Sequence, residues 1–316
     1  MADKNEIMVS VICNTYNHEK YIAQALDSFI MQQTSFRFEI LVHDDASTDG
    51  TVEIVQRYKK AYPELIFPIY QTENQYSQGI DSYVVFQYPR ARGKYIAYCE
   101  GDDYWLTPDK LQRQVDYLEA HPEAALCICN AKTVATDRSE VGEVAPVQTS
   151  GIVPAEDVIR IGGGFCATSS VVTRRELMTE LPDYFNILSL DLVNQMYLAS
   201  CGTTYCFADY MCAYRVGVAN SWSTRMSAAK EQMDAHCRKS IAVRKAFDEE
   251  TNYRYHDAVL ERIFMLYWDL EDFEELQKQE YAGVYKSLDQ RTKLRFQIQK
   301  NFPRVYRCWR KARYGR

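Results

Sequence analysis

The sequence predicts an α/β protein in which a mainly parallel, doubly wound sheet is followed by a mostly helical C-terminal region. Up to about Thr133, short apolar segments of strand character alternate with segments of helical spacing, which is the pattern of such sheets. Polar clusters follow three of the apolar segments, at the edge where these sheets bind ligands. From Ser227 onward the chain has helical character, with faces rich in Glu, Lys and Arg.

The first half of the chain supplies most of the predicted sheet. Predicted strands are Met8–Asn14, Phe38–His43, Leu65–Gln71, Tyr95–Cys99 and Ala124–Ala131. Predicted helices lie between them at His18–Gln33, Thr51–Tyr62, Ile80–Tyr88 and Pro108–Ala120. The first helix is supported by Ile22, Leu26 and Phe29 on one side, and the second by Val52 and Val55.

The pattern weakens in the second half. Gly162–Ser170 is predicted to be a flexible loop that enters a strand. The later predicted elements are a strand at Ser169–Thr173, a helix at Asp191–Ser200, and strands at Thr203–Phe207 and Met211–Val216. No internal repeat or low-complexity segment is present.

Composition indicates a globular, cytoplasmic protein. The 316 residues are 47% hydrophobic and 25% charged, enough for one large domain, alone or with an appendage. The chain has no apolar run long enough to predict a transmembrane helix. Its polar start, Met-Ala-Asp-Lys-Asn-Glu, lacks the apolar core of a secretion signal. The ten cysteines show no zinc-type repeated spacing, so we expect free, mostly buried thiols in a reducing compartment.

The segment Tyr95–Trp105 carries the strongest chemical signal. Its apolar strand delivers Glu100, Asp102 and Asp103 to one end. Carboxylates this close repel one another unless a cation or a hydrogen-bond network holds them. A hard divalent cation on a phosphate-bearing substrate is the expected partner.

The cluster Asp44–Gly50 has three interpretations. The segment Asp45–Gly50 matches positions 1, 3, 5 and 6 of a calcium-binding EF-hand loop, but Gln56 replaces the final glutamate and a strand precedes it. Thr48 or Asp49 can instead cap the following helix. Neither excludes a role for Asp44, because a carboxylate at a strand end can bind a nucleotide base or a ribose hydroxyl.

The cluster Asn14–Asn17 follows the first strand directly. Tyr16 can stack on a base there while backbone N–H groups approach phosphate. The alternative is an ordinary turn between a strand and a helix, with an asparagine cap.

Together, the three clusters resemble family 2 glycosyltransferases of the GT-A fold, a Rossmann-like α/β fold, of the kind that makes bacterial polysaccharides. The resemblance covers roughly residues 8 to 222 and rests on three segments, Val9–Asn17, Ile40–Thr51 and Gly93–Trp105. It implies inverting transfer from a nucleotide sugar. It also divides residues 1–225 into a nucleotide-sugar half of about 1–132 and an acceptor half of 133–225, followed by a helical region of 226–316.

The resemblance assigns donor-binding roles at the strand ends. It implies that Thr15, Tyr16 and Asp44 hold the nucleotide. The family's Asp-x-Asp motif falls on Glu100-Gly-Asp102, so Asp102 would ligate Mn²⁺ or Mg²⁺ on the donor diphosphate. Glu100, where the family has Asp, would lie near the ribose or the metal.

Supporting and catalytic roles follow in the same way. The resemblance leaves Asp103 as either a supporting carboxylate or the cap of the next helix. It places the catalytic base at Asp191, preceded here by Leu where many members have Glu; Asp183 and Asp209 are rivals, and a helix cap is the alternative role.

The family's late motif falls on Tyr214-Arg215, followed here by Val-Gly instead of the common Val-His. Arg215 would neutralise the departing diphosphate, or form a structural ion pair. Trp222 would line the acceptor site, or belong to the core.

The basic tail 291–316 is a separate feature. It contains ten Lys or Arg and no Asp or Glu, so removing it from the net charge of −6 leaves −16 on the rest, which argues against a nucleic-acid partner. Apolar side chains recur in it at spacings of three and four residues, a pattern that suits an anionic membrane surface. The alternative is packing on the body or on a partner subunit of a homo-oligomer.

We therefore expect an inverting, metal-dependent glycosyltransferase with a uridine-based donor and a saccharide or lipid-linked acceptor, at the inner face of the cell membrane. A sugar-nucleotide pyrophosphorylase shares the architecture but needs a glycine-rich loop where Asn14–Asn17 has no glycine. A catalytically silent nucleotide-sugar-binding or scaffold protein stays open because of Glu100 and the missing late histidine.

Overall fold

A computed structural model describes residues 6–188, 191–219, 221, 224 and 229–306. The chain divides into two compact units, Met1–Ala228 and Ala229–Arg316. The first contains the sheet and the second is helical.

Ten strands of the first unit form one sheet. They are β1 (Ile7–Thr15), β2 (Arg37–Asp44), β3 (Ile66–Tyr70), β4 (Tyr95–Tyr98), β5 (Tyr104–Trp105), β6 (Ala124–Val134), β7 (Glu140–Val144), β8 (Gly151–Val153), β9 (Val172–Arg174) and β10 (Thr203–Arg215). Within the described residues of this unit, five α-helices accompany the sheet: α1 (Ile22–Ile30), α2 (Thr51–Ala61), α3 (Lys110–Ala120), α4 (Ala155–Ile161) and α5 (Asp191–Cys201).

The predicted α/β fold is confirmed, and its sheet is mixed. The strand order is β3-β2-β1-β4-β9-β6-β10-β5, with β7 beside β6 and β8 beside β10. Strands β3, β2, β1 and β4 are parallel, as are β6 and β10. Strand β9 is antiparallel to both of its neighbours, β4 and β6. It therefore joins two parallel sets into one sheet.

The central strands of the sheet are buried on both faces. Alternation along β1 places Val9 and Val11 in one apolar cluster with α1 and α3, and Ile12 in a second cluster on the other face. Coverage on both faces explains why the strands are continuous apolar runs rather than alternating ones. The loops at the carboxyl ends of β1, β2 and β4 are left to form a site.

Three predicted elements, one helix and two strands, differ in the structure. The predicted helix Ile80–Tyr88 is a short π-helical turn, Tyr83–Gln87. The amide of Gln87 fixes this turn to the sheet, because its Nε2 donates to the carbonyl oxygens of Cys13 and Leu41. The two predicted strands at 203–207 and 211–216 are one strand, β10, whose register shifts beside Tyr210. Such bulges interrupt the alternation that sequence reasoning depends on.

The second unit contains α6 (Lys230–Glu250), α7 (His256–Asp269), α8 (Ala282–Ser287) and α9 (Gln290–Asn301). Phe296 of α9 packs against the rings of Phe264 and Trp268 on α7. Among the residues that the structure describes, no helix has the length and hydropathy needed to cross a bilayer. Across both units, the nine cysteines that the structure describes are free, as predicted, and eight are buried.

Candidate functional site

The carboxyl ends of β1, β2 and β4 bring the three predicted clusters together. Thr15 at the end of β1 is in register with Asp44 at the end of β2, and the N–H of Asp45 donates to the Thr15 carbonyl over 2.9 Å. On the other side of β1, the N–H of Gly101 donates to the Asn14 carbonyl over 2.9 Å. The acidic loop after β4 therefore lies beside the Asn14–Asn17 turn.

Hydrogen bonds connect the loops that follow β1 and β2. The backbone N–H and hydroxyl of Ser47 donate to the two oxygens of Asp44, and Ser47 Oγ accepts from the N–H of Asn17. Asp49 Oδ1 accepts from the N–H of Thr51, the first residue of α2. The N-cap of α2 is Gly50, which makes no side-chain cap bond, so neither Thr48 nor Asp49 is the predicted cap. Asp49 instead supports the first turn from the position before the cap, with an oxygen that an EF-hand loop would direct at calcium. In the described part of the chain, no group of three or more His, Cys, Asp or Glu is arranged to hold a metal ion.

Asp45 has a role that the sequence did not indicate. Its buried carboxylate accepts from the N–H groups of Gln75 at 2.7 Å and Tyr76 at 3.1 Å. It therefore fixes the loop after β3 against the end of β2. The neighbouring Asp44 is buried too, and burial raises the pKa of its carboxyl although hydrogen bonds from Ser47 oppose the rise.

Two groups of the first cluster have free binding capacity. The ring of Tyr16 is 41% exposed, so a planar base can reach it. Thr15 is buried, and its Oγ1 has no hydrogen-bond partner within the described residues. An unpartnered buried hydroxyl is costly unless a ligand satisfies it.

Glu100 is held by a tyrosine from a distant segment. The phenol of Tyr83 donates to Glu100 Oε1, and the turn that carries Tyr83 begins where Asp81 accepts from the Tyr83 N–H over 2.8 Å. Burial raises the pKa of Glu100 to about 8, and the charges of Asp102 and Asp191 add to the rise. The charges of Asp102 and Asp191 therefore act on the Glu100 carboxyl that Tyr83 contacts.

Asp102 is the accessible carboxylate of the acidic loop. Its side chain is 16% exposed, and Oδ2 lies 3.8 Å from His18 Nε2. Position 101 favours glycine, because a Cβ there would lie 2.7 Å from Thr15 Oγ1 and 3.0 Å from His18 Nδ1. This close approach brings Asp102 up to the first turn after β1.

Asp103 supports the late motif instead of capping a helix. Its Oδ1 accepts from the backbone N–H of Arg215 over 2.8 Å, whereas the next helix, α3, begins only at Lys110. Asp103 is buried, and burial raises the pKa of its carboxyl, with the charge of Asp102 adding to the effect. The side chain therefore joins the acidic loop to the end of β10.

The guanidinium of Arg215 is buried among neutral oxygens. Nε donates to the Asp102 carbonyl over 2.7 Å, and Nη2 donates to the Gln24 amide oxygen over 2.9 Å. The rings of Tyr21 and Tyr104 flank it. The remaining nitrogen, Nη1, donates to the carbonyl oxygen of Ala135. A guanidinium has five N–H groups, and these bonds to described residues use three of them, one on each nitrogen.

Arg215 also borders an open cavity of about 380 Å³. Its lining residues are Lys20, Tyr21, Thr136, Asp137, Arg138 and Arg215. The carboxylate of Asp137 also lines the cavity, and its Oδ1 accepts from the N–H and hydroxyl of Ser139. Three cations against one carboxylate give the cavity a positive character in an otherwise acidic body.

Asp191 is the first residue of α5, and its charge contributes to the raised pKa of Glu100. Burial raises the pKa of its carboxyl and the charge of Asp81 adds to the rise, while a hydrogen bond with Thr168 opposes it. Of its predicted rivals, Asp183 is exposed and Asp209 pairs with Arg113 at 2.7 Å. Two further predicted positions, Leu190 and Trp222, lie outside the described residues.

The segment that contains the three strand ends matches a known protein family in sequence. A family model described as Glycosyl transferase family 2 matches residues 10–179, more than half of the chain. The chain belongs to glycosyl transferase family 2.

Relatives agree with this membership. An uncharacterized protein of Mycobacterium tuberculosis is 34% identical over 218 residues, which are 68% of this chain and 60% of the relative. The chain thus spans less than two thirds of that relative. The poly(ribitol-phosphate) beta-N-acetylglucosaminyltransferase TarS of Staphylococcus aureus is 33% identical over 121 residues, 38% of this chain and 20% of TarS.

Solved structures share the fold of this family member. Residues 1–349 of S. aureus TarS, solved in complex with UDP-GlcNAc, superpose with a TM-score of 0.65 at 18% identity, over 98% of this chain and 93% of the other. The mannosyltransferase PcManGT of Pyrobaculum calidifontis, solved with GDP-Man and Mn²⁺, gives a TM-score of 0.52 at 18% identity, over 97% and 84%.

Proposed function

We propose that this protein is an inverting, metal-dependent glycosyltransferase. It transfers a sugar from a uridine diphosphate sugar to a hydroxyl group of a saccharide or lipid-linked saccharide acceptor. The observation that carries the proposal is the alignment of Thr15, Asp44 and the loop of Asp102 at adjacent strand ends, with Asp191 close enough to influence the titration of Glu100.

The donor nucleotide lies across the ends of β1 and β2. Tyr16 stacks on the base, since its ring is exposed. Thr15 Oγ1, which has no partner among the described residues, hydrogen-bonds the nucleoside, and Asp44 accepts from the base or the ribose. The UDP-GlcNAc complex of TarS supports a uridine donor.

The residues near the donor diphosphate suit a divalent cation. Asp102 presents carboxylate oxygens, the ligands that Mg²⁺ and Mn²⁺ prefer, and one or two carboxylates suffice when phosphate oxygens complete the shell. When bound, such a cation offsets negative charge on the departing nucleoside diphosphate. Arg215 has N–H groups left for the same phosphates, and Lys20 and Arg138 line the cavity beside it. The Mn²⁺ complex of PcManGT supports this choice of cofactor.

Asp191 acts as the general base. Its carboxylate takes the proton of the acceptor hydroxyl as that oxygen forms a bond to the anomeric carbon. The bond from the anomeric carbon to the diphosphate oxygen breaks on the opposite face, so the configuration inverts. A base whose pKa is raised by burial holds the proton more firmly at that moment than an ordinary aspartate.

The acceptor is a cell-surface polymer or its lipid-linked precursor, made at the inner face of the membrane. TarS, a relative, acts on poly(ribitol-phosphate) by name. The exposed side chains of Leu294, Phe302 and Val305 lie among the cations of the basic tail, an arrangement that suits a surface of anionic lipid.

Thermal unfolding with nucleotides tests the donor site. With Mn²⁺ present, UDP and a UDP-sugar should raise Tm more than GDP or ADP do, because a ligand at 100 times its Kd adds about 2.7 kcal/mol to the stability of the native state. Tyr16→Ala should reduce that shift. Tyr62→Ala removes a ring of equal exposure at the C-terminal end of α2 and should leave the shift unchanged. Absence of a shift with any nucleotide would contradict the proposal.

A further inference from the structure

His18 lies at ion-pair distance from Asp102 but makes no hydrogen bond to it. The distance of 3.8 Å between His18 Nε2 and Asp102 Oδ2 is too long for a hydrogen bond. Both side chains are mostly buried, with 15% and 16% exposure. The other ring nitrogen, Nδ1, is buried and has no partner within the described part of the chain. A histidine and a carboxylate that point at each other across this gap leave room for a bridging group.

The ring is held in this position by the backbone around it. The N–H of His18 donates to Thr51 Oγ1 over 2.8 Å, and the preceding Asn17 has a left-handed φ of 56°. On the other side, the backbone of Gly101 packs against the ring, since a Cβ at Gly101 would lie 3.0 Å from Nδ1. His18 is therefore fixed relative to the loop that carries Asp102.

We propose that His18 Nε2 is a second protein ligand of the divalent cation bound by Asp102, and that this nitrogen makes the site prefer Mn²⁺ to Mg²⁺. The inference rests on the proposed function, since it concerns the same cation. Mg²⁺ takes oxygen ligands almost exclusively, whereas transition-metal ions also accept imidazole nitrogen. A site with only Asp102 and phosphate oxygens would discriminate little between the two ions.

The distance suits such a pair. Ligand atoms lie about 2.1 Å from an ion of this size. Two atoms 3.8 Å apart could therefore both bind one ion after a small torsional change of either side chain. Diphosphate oxygens and water would supply the other ligands.

The test measures the binding of Mn²⁺ by electron paramagnetic resonance in the presence of UDP, with Mg²⁺ as competitor. Wild type should bind Mn²⁺ more tightly than Mg²⁺ and show hyperfine coupling from an imidazole nitrogen. His18→Ala and His18→Asn should both lose that coupling. Each should weaken Mn²⁺ binding by about tenfold, or 1.4 kcal/mol, with little change for Mg²⁺. His121→Ala, which removes an exposed ring paired with Glu123, is the matched control and should behave as wild type.

The outcomes separate this inference from the proposal on which it rests. In one outcome, Asp102→Ala loses binding of both ions, while folded His18→Asn keeps the wild-type ratio of Mn²⁺ to Mg²⁺ affinity and the nitrogen coupling. This outcome overturns the role of His18 alone. Unchanged Mn²⁺ binding in Asp102→Ala, or no Mn²⁺ binding by wild type with UDP, overturns the cation site itself.

Discussion

The phenol of Tyr83 donates a hydrogen bond to Oε1 of Glu100, and this bond connects the π-helical turn Tyr83–Gln87 to the acidic loop after β4. The two residues are seventeen positions apart in the chain. The predicted motif has glutamate in its first position, and a partner from another segment orients this long side chain. The orientation of the first carboxylate in this motif therefore depends on Tyr83.

Tyr83→Phe should lower kcat/KM for transfer by about 2- to 10-fold, because Glu100, with a pKa of about 8, is mostly neutral near pH 7 and a hydrogen bond between neutral groups contributes about 0.5–1.5 kcal/mol. The ring should still pack between Tyr88 and Tyr98. The release of nucleoside diphosphate measures the effect. Tyr58→Phe, which removes a 2.6 Å phenol bond to Asp27 outside the site, is the control. Equal kinetics for the two variants would show that the Tyr83 bond has no catalytic consequence.

Asp191→Asn should abolish transfer while donor binding stays within about twofold of wild type, because the amide cannot accept the acceptor proton. Sugar transfer and nucleotide titration measure the two effects separately. Asp209→Asn changes an exposed carboxylate paired with Arg113 and should transfer normally. Transfer by Asp191→Asn at the wild-type rate would place the base elsewhere.

The raised pKa of Asp191 predicts two dependences on pH. In the pH profile of kcat, the fall on the acid side should occur at a pH above the ordinary pKa of aspartate, because the base works only when deprotonated. A folded-state pKa above the unfolded one gives stability that is present at low pH and lost as pH rises through the folded pKa. Asp191→Asn, which resembles the protonated form, should therefore raise Tm at pH 7 and change it little at pH 3. A lower Tm at pH 7 would contradict this.

Gly101→Ala should destabilise the protein by about 1–3 kcal/mol, the usual cost of overpacking. The new Cβ would lie 2.7 Å from Thr15 Oγ1 and 2.8 Å from Thr15 Cβ, where the surrounding loop is tied down by hydrogen bonds. Urea unfolding measures the change. Gly142→Ala meets its nearest atom only at 3.9 Å and should have a much smaller effect. Comparable losses in the two variants would argue against the close packing of the acidic loop.

Replacing Leu294, Phe302 and Val305 with Ser should reduce sedimentation with vesicles that contain anionic lipid. These side chains are 60–61% exposed, so their loss should leave the fold intact. Binding by wild type should fall with added salt and be weak with neutral vesicles. Val141→Ser changes an apolar side chain that is 57% exposed in the first unit and serves as control. Equal sedimentation of the triple variant and wild type would exclude membrane binding through these residues.

The sequence was sufficient to predict the strands that build the site and the loops that follow them. Strands β1, β2 and β4 are buried on both faces, so their apolar runs were unambiguous, and polar residues at their ends had to be loops. The bulged β10 and the turn Tyr83–Gln87 were harder. The register shift at Tyr210 and the π-helical spacing each break the period on which prediction relies.

The partners within the site could not be read from the sequence. Tyr83 lies in a segment of ordinary composition, and Asp45 lies in a cluster whose pattern suggested other roles. The roles of both depend on contacts with residues seventeen and thirty positions away. His18 gave one signal, its place directly after the Asn14–Asn17 cluster, but its distance from Asp102 depends on the fold. Pairings of this kind arise from strand register, which local patterns do not specify.

The most direct test of the account is the release of nucleoside diphosphate from UDP-sugars, measured with and without Mn²⁺. We expect wild type to be active only with the metal. Asp102→Ala should lose activity by about 100-fold or more, which is the order of loss when transition-state charge is left uncompensated. Asp116→Ala, which removes an exposed carboxylate of α3, should match wild type. Equal activity of wild type with chelator and with Mn²⁺, or an active Asp102→Ala variant, would contradict metal-dependent transfer at this site.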